Sequence, residues 1–105
     1  MFTASKLKFA QNGSHLCGYF ETSFKKLVEL FGEPNGEGDG YKVSTEWVLE
    51  DEGGNVATIY DYKDTSLYDS SYPSVKTFRG MKTFHWHIGS TNEETANNLI
   101  KQLSK

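Results

Sequence analysis

The sequence predicts an α+β fold: one antiparallel sheet of about four to five strands with two amphipathic helices packed on one face, in the order β(β)αβββα. Three observations carry this expectation. Phe24, Leu27, Val28 and Phe31 recur at helical spacing, and so do Ala96, Leu99, Ile100 and Leu103. Two runs around Gly53-Gly54, residues 41–50 and 56–63, alternate in side-chain character and are rich in β-branched and aromatic residues. A third alternating run covers residues 81–89. At 105 residues the chain is read as one domain spanning 1–105.

The elements follow in order. Residues 14–20 read as a strand, with Leu16, Gly18 and Phe20 alternating with His15, Cys17 and Tyr19. The run from Lys6 to Ala10 is a weaker strand, and Asn12-Gly13 between the two is a good hairpin turn. A helix runs from about Ser23 to Phe31, with Thr22 or Ser23 able to cap its first N–H groups. Gly32 provides a left-handed stop and Pro34 blocks continuation. In the following strand Tyr41, Val43, Thr45, Trp47 and Leu49 face one way and Lys42, Ser44, Glu46, Val48 and Glu50 the other. The return strand sets Thr58, Tyr60 and Tyr62 against Ala57, Ile59 and Asp61, with Tyr60 read as facing the core. Residues 64–80 form a long connection that no core requirement explains, and connections of that length are often functional. The last strand sets Phe84, Trp86 and Ile88 against Thr83, His85 and His87. The C-terminal helix runs from about Asn92 to Leu103, and Thr91 with Glu94 has the spacing of a capping box.

Composition bounds the function. The single cysteine, Cys17, excludes an internal disulfide and fits a reducing compartment. No signal-peptide pattern opens the chain, and no apolar run approaches a membrane span, so a soluble cytoplasmic protein is expected. The net charge of −3 is unevenly distributed. Between Glu29 and Tyr72 stand eleven acidic and two basic residues, while the remainder carries nine basic and three acidic ones. An acidic middle segment suits a basic partner. The longest basic cluster is Lys25-Lys26, so direct nucleic-acid binding is not expected.

Several constellations offer chemistry. His85-x-His87 puts two imidazoles on one strand face, and His15 with Cys17 repeats the spacing on another strand. Four soft ligands would converge only if those strands were neighbours in the right register. The sequence therefore predicts no bound metal and no cofactor. A small hydrolase would use His85 or His87 as general base with Asp61 as its orienter. Gly89 stands where a histidine-triad motif needs its third histidine, however, and no nucleophile elbow, zinc-protease or phosphate-loop motif occurs. The glycine-rich turn at 35–40 carries Glu37 and Asp39, which would repel phosphate. Tyr60, Tyr62, Tyr68 and Tyr72, mixed with Ser and Asp, have the composition of a binding surface.

The segments FGEPNGEGDGYKVSTEWVLE, NVATIYDYK and FHWHIGSTNEE resemble small uncharacterised bacteriophage-encoded accessory proteins. There a helix ending in FGEP precedes an acidic glycine-rich turn, an EW strand, an ATIY strand and a W-x-I-G strand. The resemblance spans residues 18–103 and implies a protein acting in the cytoplasm of an infected cell. Taken with the charge layout, it leads us to expect a non-enzymatic protein that inhibits or redirects a host or host-defence protein. Its contact residues would be Glu50, Asp51, Glu52, Asp61, Asp64, Tyr68, Asp69 and Tyr72. The alternative expectation is a trap for a nucleotide-derived signal, formed by Lys76, Arg79, Lys82, His85, Trp86 and His87 at an oligomer interface.

Overall fold

Ser23 turns the chain out of an extended segment, and its hydroxyl accepts from the Lys26 N–H at 3.0 Å. That cap starts helix α1 (Phe24–Phe31), which ends at Gly32 with φ 82°. The positive φ is the left-handed conformation that glycine adopts without steric cost. The structure is a computed structural model that describes residues 1–5, 14–36, 43, 45–62 and 70–104. The expected strand at 6–10 and the Asn12-Gly13 turn lie outside the described residues.

The fold is α+β. Strands β1 (Thr3–Ala4), β2 (His15–Thr22), β3 (Glu46–Glu50), β4 (Val56–Tyr60) and β5 (Phe84–Ser90) form one antiparallel sheet in the order β1-β3-β4-β5-β2. Helices α1, α2 (Val75–Arg79) and α3 (Glu93–Leu103) bury their apolar sides in a single core. The inner faces of the strands supply Trp47, Leu49, Ala57, Ile59, Trp86 and Ile88 to it. Leu27, Phe31, Ala96, Leu99 and Leu103 close it from the helices. The two tryptophan rings meet edge-on at 5.4 Å, and each indole N–H is satisfied by a backbone carbonyl, Gly32 O for Trp47 and Thr22 O for Trp86. No described helix is long and apolar enough to cross a membrane.

Four details depart from the sequence reading. The long connection is in part core-building: α2, capped by Ser74, buries Phe78 against Phe84 and Trp86, with ring centroids at 4.2 and 5.4 Å. Five residues are too few to show a periodic stripe, so sequence could not reveal this helix. The α3 cap is Asn92, whose side chain accepts from the Thr95 N–H, rather than Thr91. A bulge between Leu16 and Gly18 breaks the alternation of β2 and places Leu16 opposite Gly89 on the outer face, 44% exposed. Tyr60 also faces outward, because its neighbours Ile59 and Asp61 take the buried side.

The part of the β3 edge that the two-residue β1 does not reach is closed by an unusual piece. Beyond β1, Asn35 inserts its carboxamide between two backbones. Its Nδ2 donates to Ser5 O and Val48 O at 3.1 and 2.9 Å, and its Oδ1 accepts from Val48 N at 2.8 Å. Gly36 N then donates to Glu46 O at 2.9 Å.

Candidate functional site

The three described helices lie on the Trp47–Trp86 side of the sheet, so the chemistry concentrates on the other face. Strand pairing fixes which residues share it, since directly opposed residues in an antiparallel ladder point the same way. Tyr19 opposes His87, Glu21 opposes His85, and Tyr60 also opposes His87 from the β4 side. Alternation along β3 adds Glu46, Val48 and Glu50.

The rings form a contiguous cluster. Tyr19 stacks on His85 at 4.6 Å and meets His87 edge-on at 5.1 Å. Tyr60 and Tyr62 approach His87 at 5.4 and 5.7 Å. Glu21 reaches His85 Nδ1 at 3.6 Å, with both side chains largely exposed, so this is a surface pair of small energetic weight. Tyr19 is 47% and Tyr62 39% exposed, unusually open for large rings that also pack on one another.

Beside the cluster a shallow pocket of about 180 Å³ is lined by Ser14, His15, Val43, Glu46, Thr58, Tyr60 and Gly89. Gly89 makes its floor. A Cβ there would stand 2.6 Å from Thr58 Oγ1, 3.2 Å from His15 O and 3.3 Å from the Tyr60 ring. The position that lacks the third histidine of a triad motif therefore has no room for a side chain. Burial pushes the Tyr60 phenol pKa up, and the negative charge of Glu46 adds to the shift.

The residues expected from sequence scatter. Glu50 is on the outer sheet face. Asp51 is committed to its own turn: it accepts from the N–H groups of Gly53 and Asn55 at 2.9 Å and from the Asn55 side chain at 3.1 Å. Those hydrogen bonds, the Asn55 side chain first, hold its carboxyl below the ordinary value. Glu52 accepts from the Met1 amino group at 2.6 Å, which lowers its pKa as well. Asp61 corrects the expectation of a contact residue, and equally that of an orienter for the outer histidines. It is fully buried on the helix side of the sheet and accepts from Thr45 N at 2.7 Å. Tyr72 is exposed ahead of α2. Asp64, Tyr68 and Asp69 lie outside the described residues.

The alternative nucleotide set does not assemble. Trp86 is buried in the core and cannot stack on a base. Arg79 donates to Thr45 Oγ1 from Nε and Nη2 at 3.2 Å and covers the Phe24 ring at 5.0 Å, all on the helix side. Lys76 is exposed on α2 and Lys82 in the loop entering β5, while His85 and His87 face the opposite way. His15 and Cys17 do not meet the histidine pair either. His15 opposes Ser90, Cys17 falls at the bulge, and Tyr19 and Glu21 take the places beside His87 and His85. No three His, Cys, Asp or Glu side chains converge as a metal site among the described residues.

Sequence reasoning missed Tyr19, Glu21, Glu46 and Thr58 as companions of the histidines. Tyr19, Glu46 and Thr58 fall on strands whose alternation is visible in sequence, whereas Glu21 lies one residue beyond the expected strand at 14–20 and inside the observed β2. What was missing is that β2 pairs with β5 and β5 with β4, because strand order depends on contacts distant in sequence. No protein-family model matches the chain, and no curated protein matches it significantly.

Proposed function

We propose that this chain is a non-enzymatic binding protein that docks the outer face of its sheet onto another protein. The observation that supports this reading is the Tyr19–His85–His87–Tyr60–Tyr62 cluster, contiguous and open on a face that no described helix covers. Tyrosine offers large contact area at low entropic cost and a hydroxyl for hydrogen bonding, and such rings are typical interface anchors. The resemblance of the sequence to phage accessory proteins supports a host or host-defence protein, met in the cytoplasm of an infected cell, as the partner that docking inhibits or redirects. The contact surface moves accordingly from the acidic turn to the sheet face, with Glu50 at its margin. Sequestration of a nucleotide signal has weaker support, since the cationic residues it needs are on the helix side or in flanking loops. The pocket is also smaller than the roughly 300–1,000 Å³ of typical small-molecule sites.

The test is affinity capture from host lysate with three baits: wild type, a Tyr19→Ala/Tyr62→Ala double variant, and a Lys101→Ala variant on the helix side. A genuine partner should be retained by wild type and Lys101→Ala. The double variant should bind it at least about 30-fold more weakly, the effect of losing one interface anchor. A partner held equally by all three baits removes the sheet face as the docking site.

A further inference from the structure

We propose that the pocket beside Tyr60 receives a single arginine side chain projecting from the protein partner; this rests on the binding-protein reading above and names what the face recognises. Four observations carry it. The first is size. About 180 Å³ admits one long side chain, whereas drug-sized and nucleotide ligands need more.

The second is the chemistry of the walls. Glu46 supplies a carboxylate, Tyr60 an aromatic ring and Thr58 a hydroxyl, and the His15 carbonyl oxygen borders the floor at Gly89. These are acceptors and a π surface. A guanidinium offers five donors in a planar fork and a face that lies well on an aromatic ring, so it answers this set better than a compact ammonium does. An anionic guest would meet the Glu46 carboxylate at close range.

The third is the field around the pocket. The outer face carries the carboxylates of Glu21, Glu46 and Glu50, and none of the five strands carries a Lys or Arg. The described cations, Lys25, Lys26, Lys76, Arg79, Lys82 and Lys101, are on the helices or in the loop before β5. Among the described residues, then, the charges that face a cation approaching this side of the sheet are negative.

The fourth is Ser14. Its Oγ is buried at the pocket wall and has no hydrogen-bond partner among the described residues. Buried hydroxyls are usually satisfied, and a donor-rich guest would satisfy this one. Charge-assisted hydrogen bonds to a carboxylate are roughly twice as strong as neutral ones, which concentrates the recognition on Glu46.

The experiment is an amide-detected NMR titration of the whole chain with N-acetyl-arginine amide, its neutral isostere N-acetyl-citrulline amide, and N-acetyl-lysine amide. The expected result is saturable shifts at Glu46, Thr58, Tyr60 and Gly89 with the arginine probe, at a dissociation constant on the order of millimolar, and none with citrulline. Glu46→Gln, if its spectrum stays dispersed, should weaken the arginine probe at least about tenfold. Thr58→Val, which keeps the shape and removes the hydroxyl, should weaken it less and serves should Glu46→Gln fail to fold. No shifts with arginine, equal shifts with citrulline, or a Glu46→Gln protein binding like wild type would each overturn the proposal. A stronger response to lysine would overturn the choice of guanidinium. The two readings fail separately. A captured partner lost by Tyr19→Ala/Tyr62→Ala but held fully by Glu46→Gln leaves the docking face standing and removes the arginine.

Discussion

The Asn35 carboxamide donates to the carbonyls of Ser5 and Val48 and accepts from the Val48 N–H, the pattern a neighbouring strand would offer. Val48 is only 4% exposed; its carbonyl also accepts from Ser5 N at 2.8 Å, but its N–H has little access to water once that side chain is gone. Asn35→Ala should therefore destabilise the fold by about 1–3 kcal/mol, the cost of leaving a buried peptide group unsatisfied. Asn35→Asp is an informative companion. It keeps the acceptor for Val48 N but replaces two donations with oxygen facing two carbonyl oxygens, and it should be at least as harmful. Urea midpoints of the two variants check this, and wild-type stability in both would mean that the carboxamide is dispensable. Neither residue 35 nor its role was legible in sequence, where FGEPNGEGDG reads as a glycine-rich turn. The helix stop just before it was legible, because Gly32 and Pro34 act locally.

At the scale of elements, α2 is the shortest described helix and yet anchors the approach to β5. Its cap, Ser74, is local, but its reason for existing is Phe78 packed between Phe84 and Trp86. Phe78→Ala should cost about 3–5 kcal/mol and Leu27→Ala, at the centre of the α1 stripe, about 2–5 kcal/mol, as transfer and cavity terms combine. Equilibrium unfolding measures both, and losses this large approach the whole stability of a small domain. A Phe78→Ala protein as stable as wild type would show that the connection is a loop after all. The two long helices and four of the strands were readable because each repeats a period over several residues. The helix over 75–79, the two-residue β1 and the bulge at Cys17 were not, since each depends on partners far along the chain. The same limit hid the candidate site. The H-x-H pair and the tyrosines were visible one strand at a time, but the β4-β5-β2 adjacency that gathers them was not.

For the molecule as a whole, the decisive asymmetry is that the described helices all cover one side of the sheet. The other side exposes rings that would readily stack against a flat apolar neighbour, including the same rings on another copy. Two such sheets face to face would build a sandwich, with the sheets about 10 Å apart. Bringing them together would also bring together the carboxylates at 21, 46 and 50 of each copy, with no lysine or arginine on either set of strands to offset them. Like charges at that range are only partly screened at ordinary salt, where the Debye length is about 8–10 Å. On this argument the acidic residues of this face would hold two copies apart. Replacing all three with glutamine should raise self-association, seen as a concentration-dependent rise in sedimentation coefficient, and wild type should drift the same way in high salt. If the triple variant stays monomeric, the rings are not adhesive on their own. If it associates, the same residues that would draw in a basic partner are also what keeps concentrated solutions of this protein from precipitating.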